Sequence, residues 1–106
     1  MRMSSLAVLV VVLLTGSAVA DDKAIGAGGV SCRTWTSERM RIGGRYSDMA
    51  NWVVGFLSGV GYKGPEDPLG GLDADAVEGW LDQYCQIYPL NSLADAAKAF
   101  VAEHPR

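Results

Sequence analysis

Cys32 and Cys85 are the only two cysteines in the chain, and the residues ahead of them have the layout of an export signal. Arg2 supplies a positive start, and Leu6 to Leu14 form a nine-residue apolar run. Ala18-Val19-Ala20 then places small residues where a signal peptidase reads them. The apolar run is too short to cross a bilayer as a permanent helix, which needs about 20 residues. No cysteine stands just after the expected cleavage site, so a lipid-anchored product is not expected. Residues 1–20 read as a signal peptide, with an uncleaved anchor as the alternative, and the expected location is periplasmic or secreted. In such an oxidising compartment two cysteines have a single connectivity, a Cys32–Cys85 disulfide. It closes a loop of about 54 residues, for which the chain-entropy model gives about 4 kcal/mol. Set against a usual domain stability of about 5–15 kcal/mol, that is a large share.

Cleavage leaves 86 of the 106 residues, enough for one small domain that buries only about 60–65% of its unfolded surface. A staple matters most for a core of that size. Eight Lys/Arg remain against twelve Asp/Glu, and this acidic balance argues against a sequence-independent nucleic-acid binder, which needs a basic face. With all nine aromatics retained, the chain reads as globular.

Residues 21–31 are Gly-rich and polar, which predicts a flexible N-terminal arm ahead of a single domain over 32–104. Thr34 to Arg41 can make one or two helical turns with Thr36 as cap, and Gly43-Gly44 interrupts them. Ser47 or Asp48 opens the strongest helical stretch, to about Val60. There Trp52, Val53, Phe56, Leu57 and Val60 recur at the three- and four-residue spacing of one buried stripe. Gly55 and Gly59 each cost up to about 1 kcal/mol relative to alanine in a helix, and close approach of another helix or of the disulfide is the expected reason. Gly61 to Leu72 is a loop. Asp73 caps the next helix, whose inner face is Val77, Trp80, Leu81, Tyr84 and Cys85, and Pro89 ends it. A last helix starts near Asn91 or Ser92, with Leu93, Ala96, Ala97, Phe100 and Val101 inward. The expected fold is all-α: a small bundle of three main helices plus a short N-terminal one, stapled by one disulfide.

Candidate chemistry is thin. Gly59-Val60-Gly61-Tyr62-Lys63-Gly64 spells G-x-G-x-x-G, but it closes a helix and runs into Pro65, where a dinucleotide site opens a helix after a strand. An EF-hand starting at Asp73 would need Asp or Asn, Gly and Glu at its fifth, sixth and twelfth positions, and meets Val77, Glu78 and Tyr84. One histidine, His104, lies in the last three residues, where chains fray, so neither a zinc site nor a Ser-His-Asp set can be assembled around it. Catalytic residues, cofactors and metals are therefore not expected, and the chain reads as non-enzymatic. The charges do segregate. Arg33, Arg39, Arg41 and Arg45 fall in one short segment, and Glu66, Asp67, Asp73, Asp75, Glu78 and Asp82 in another. Either the two faces neutralise each other within the fold or across a dimer, or they form a pH-sensitive seam that fails when the carboxylates protonate.

Taken together, the Cys32-x-x-Trp35 start, Trp52-Val53-Val54-Gly55-Phe56-Leu57-Ser58-Gly59, Trp80-Leu81-Asp82-Gln83-Tyr84-Cys85, Pro89-Leu90 and the Ala-rich final helix resemble the HdeA/HdeB family of small periplasmic proteins over Ser31 to Glu103. The resemblance implies an exported all-helical fold with Cys32 and Cys85 as its bridge. It also implies an acid-stress chaperone, dimeric when neutral, that holds unfolded clients on apolar surface. A second resemblance, through the W-x-x-G-[FY]-x-x-G-like helix, is to Tai-type immunity proteins, which bind one cognate effector enzyme. A structural envelope protein is a third possibility. On these readings the partner is protein, with a homodimer possible and no nucleic acid or stable membrane anchor. Trp52, Phe56, Trp80 and Tyr84 are the expected protein-binding residues, although each also suits a core.

Overall fold

The structure is a computed structural model that describes residues 24–105. The expected signal peptide at 1–20 lies outside the described residues, as do positions 21–23 of the arm. Among the described residues four α-helices follow one another: α1 (Cys32–Met40), α2 (Tyr46–Lys63), α3 (Ala74–Ile87) and α4 (Leu93–Glu103). Among the described residues the only strand-like pairing is an isolated bridge between Ser31 and Ser92. The all-helical expectation holds, with three longer helices and one short one, and Cys32 is bonded to Cys85.

Helix α1 begins earlier than the sequence predicts. Its cap is Ser31, whose hydroxyl accepts from the Thr34 N–H at 3.2 Å, and Thr36 lies inside the helix. The reason is tertiary. The first N–H groups of a helix have no partner within it, and here the Cys32 N–H donates to Asn91 O at 2.7 Å and the Arg33 N–H to Pro89 O at 2.9 Å. The α3–α4 loop thus completes the start of α1. Nine residues are too few to persist as a helix alone in water, so α1 depends on this docking, on the bridge and on Trp35, which is fully buried.

The later caps follow the sequence. Asp73 accepts from the Ala76 N–H at 2.9 Å, and Ser92 and Asp95 form a reciprocal capping box. Tyr88, just before Pro89, ends α3. One core joins the elements: Cys32 and Trp35 of α1, Met49, Ala50, Val53 and Leu57 of α2, Val77, Leu81 and Cys85 of α3, and Leu93, Ala96, Ala97 and Phe100 of α4. Helix α1 lies against α3, and α2 against α4. Burying one large apolar side chain such as Leu57, Leu81 or Leu93 contributes about 1.5–3 kcal/mol.

Three further expectations change. Part of the stretch read as a flexible arm, Gly26–Gly29, is a 3-10 turn with Gly28 buried. His104 is held: its ring stacks on Phe100 at 4.0 Å, its Nδ1 lies 2.9 Å from the Phe100 carbonyl, and Pro105 O accepts from the Asp67 N–H at 3.2 Å. Gly55 and Gly59 are not there for close packing. A Cβ at either meets nothing within 4 Å, and both positions are exposed.

Candidate protein-binding surface

The four expected binding residues separate into two ring pairs. Trp52 and Phe56, four apart on α2, stack with centroids 5.7 Å apart. This pair is covered in part by the 3-10 turn: the Trp52 indole Nε1–H donates to Ile25 O at 3.0 Å, and the backbone of Gly28 lies so close to the indole ring that a Cβ there would collide with it.

Trp80 and Tyr84, four apart on α3, stack at 5.2 Å, and Tyr84 meets Tyr88 at 4.8 Å. The three rings form a ladder running to the C-terminal end of α3. Its inner side is anchored. Trp80 makes an edge-to-face contact with Phe100 at 5.0 Å and donates Nε1–H to Glu103 at 3.1 Å, while Asn91 Nδ2–H donates to the Tyr84 hydroxyl at 2.8 Å. Its outer end is open: Tyr88 is 49%, Ile87 69% and Leu90 77% exposed. A shallow groove runs beside it, lined by Trp80, Gln83, Tyr84, Ile87, Tyr88 and Glu103. Tyr88, Ile87 and Leu90 were not expected as part of the surface. The continued four-residue step from 80 to 84 to 88 was the available signal for Tyr88.

On the opposite flank of α3, Arg39 of α1 grips Asp82. Its Nε–H donates to Oδ1 at 2.9 Å and its Nη2–H to Oδ2 at 2.6 Å, and Nη1–H reaches Glu78 at 3.5 Å. The indole N–H of buried Trp35 also donates to Asp82, at 2.9 Å. The Arg39 guanidinium lies 4.9 Å from the Tyr46 ring centroid and 5.4 Å from that of Trp35, within cation–π reach. The Arg39 fork holds the Asp82 carboxyl below its ordinary value, with help from Trp35 and against partial burial. Asp82 in turn raises Arg39 further above an already high value. Glu38 is also lowered, first by the Arg45 N–H and then by the Arg41 guanidinium.

The expected charge seam is thus narrower than the sequence implied. Arg39 alone among the four arginines makes a salt bridge to α3 among the described residues. Arg41 bonds Glu38 at 2.7 Å and Arg45 lies 3.9 Å from Asp48, both within the α1–α2 segment. Asp67 accepts from the Gly70 N–H and Asp73 caps α3. No group of three or more His, Cys, Asp or Glu that could hold a metal ion occurs among the described residues, nor is any described helix long and apolar enough to cross a membrane. Compared with protein-family models, with curated proteins and with solved structures, the chain matches none.

Proposed function

We propose that this chain is an exported, non-enzymatic protein-binding domain that holds unfolded clients in acid, as its resemblance to HdeA/HdeB-like chaperones implies. The observation that carries the reading is the α3 ladder. Its inner rings are anchored to α4 and the loop, while Tyr88, Ile87 and Leu90 leave apolar surface open at its end. Aromatic groups held rigidly at an open surface are the usual anchors of protein interfaces.

The acid response would come from the Asp82 clamp. Asp82 faces Arg39 and Trp35 of α1, with Glu78 on its own helix and Tyr46 of α2 over the guanidinium. Its carboxyl is lowered in the fold, so the stabilisation it gives is present above the ordinary carboxylate value, about 3.9, and is lost as pH falls through the lowered one. Helix α1 is held covalently at Cys32 and by this ion pair near its other end. Protonation would loosen the end carrying Arg39 while the bridge keeps the helix attached.

The test is light scattering of an aggregating client with the mature protein at neutral pH and at about pH 2–3. Suppression in acid supports the reading, and no suppression at either pH overturns it. The same anchored ladder also suits one dedicated partner, as in an immunity or inhibitor protein. A pull-down from periplasmic extract separates the two: a heterogeneous set of proteins favours the chaperone, and a single stoichiometric enzyme favours the immunity role.

A further inference from the structure

The glycines of the arm are more constrained than a linker requires. Gly26 has φ +79°, a left-handed conformation that costs a residue with a side chain roughly 1–2 kcal/mol. Gly28 is buried and has no room for a Cβ against the Trp52 ring. Between them the chain makes one 3-10 turn, and Ile25 O takes the Trp52 indole proton. A tether leading to Cys32 needs none of these features. A segment packed tightly against an indole uses all of them.

We infer that residues 24–29 are a strap occupying the Trp52 ring in the way a bound polypeptide would, and that a client segment displaces it. The occupant class follows from the strap: a flexible segment with glycine laid on the indole ring and a backbone carbonyl accepting Nε1–H. This rests on reading Trp52 and Phe56 as binding residues. The strap is held by few polar contacts, with Ala27 packed on the core beside it. Its only side-chain hydrogen bond to the bundle among the described residues is the one from Trp52, and such a bond contributes about 1 kcal/mol net. A glycine-rich segment also regains much backbone freedom on release. The fixed point lies just beyond the turn, where Val30 O accepts from the Leu93 N–H at 2.9 Å and the Cys32 N–H reaches Asn91 O. Opening can therefore stop at Val30, leaving the start of α1 and the bridge in place.

The test uses the mature chain at neutral pH with Gly28→Ala, which collides with the ring, and Gly26→Ala, which strains the turn and whose Cβ meets Trp52 only in ordinary contact at 3.9 Å. The probes are hydrogen exchange of the Trp52 indole N–H by NMR and binding of a synthetic peptide of sequence Ala24 to Val30 supplied in trans. Both variants should exchange that proton at least tenfold faster than the wild type and should bind the peptide, which the wild type with its strap in place should bind at least tenfold more weakly. The same peptide with alanine at position 28 should not bind. The inference is overturned if the indole proton stays equally protected in both variants, or if it is freed and the peptide still fails to bind. If the wild type holds clients in acid while the freed Trp52 face binds nothing, the strap fails alone. If no client is ever held, the chaperone reading fails and the peptide result still decides the strap.

Discussion

Replacing Asp82 separates the two jobs that its carboxylate performs. It accepts the Arg39 fork at 2.9 and 2.6 Å and the Trp35 indole N–H at 2.9 Å. Hydrogen bonds to a charged group contribute about 1.5–3 kcal/mol when shielded, but the Asp82 side chain is 38% exposed and that of Arg39 27%, so water screens the fork to about 1 kcal/mol. Asp82→Asn keeps an oxygen for Trp35 and loses the charge and the Nη2 arm of the fork, an expected drop of about 4–8 °C in Tm for a domain of this size. Asp82→Ala also strands the N–H of a fully buried indole, which adds about 1–3 kcal/mol. Thermal melting followed by circular dichroism at pH 7 and pH 2 measures both. A lowered carboxyl gives its stabilisation at high pH and loses it in acid, so the wild type should fall towards Asp82→Asn, and the gap between the two melting temperatures should narrow from pH 7 to pH 2. The reasoning is refuted if Asp82→Asn is as far below the wild type at pH 2 as at pH 7, or if Asp82→Ala is no worse than Asp82→Asn.

Reducing Cys32–Cys85, or replacing both cysteines with serine, should remove about 4 kcal/mol and with it most cooperative melting. A reduced protein melting at an unchanged temperature would contradict the dependence of α1 on the staple. Gly55→Ala and Gly59→Ala should each raise stability by up to about 1 kcal/mol, because the added methyl meets nothing within 4 Å; a lower Tm would show that the face is covered in solution. Ser92→Ala should cost about 1 kcal/mol in denaturant unfolding by removing one half of the capping box, and an unchanged midpoint would show that the Asp95 half suffices.

The helices whose ends are set locally were the legible ones. Asp73, Ser92 and Pro89 each act on their own backbone neighbours, so α3 and α4 could be placed to within a residue or two. The start of α1 could not, because its first N–H groups are completed by carbonyls of Pro89 and Asn91, more than 50 residues away in sequence. Helical spacing placed Trp52 with Phe56 and Trp80 with Tyr84, and both pairs stack as the spacing implies. It carries no information on which helix faces which, and so it could not show that one pair lies under the arm and the other opens beside Tyr88. Charge segregation was visible along the chain, but Arg41 and Arg45 pair locally with Glu38 and Asp48, and among the described residues Arg39 is the one arginine bridged to α3. Gly55 and Gly59 show the limit of composition: glycine in a helix invites a packing explanation, and here the space above it is open.

The open end of the α3 ladder is the surface proposed to hold protein. Ile87→Ser and Leu90→Ser combined tests it most directly, since these side chains are 69% and 77% exposed and contribute little to the core. In the client light-scattering assay at pH 2–3, the double variant should lose most of the suppression shown by the wild type while melting at the same temperature at neutral pH. Full suppression by that variant would contradict the claim.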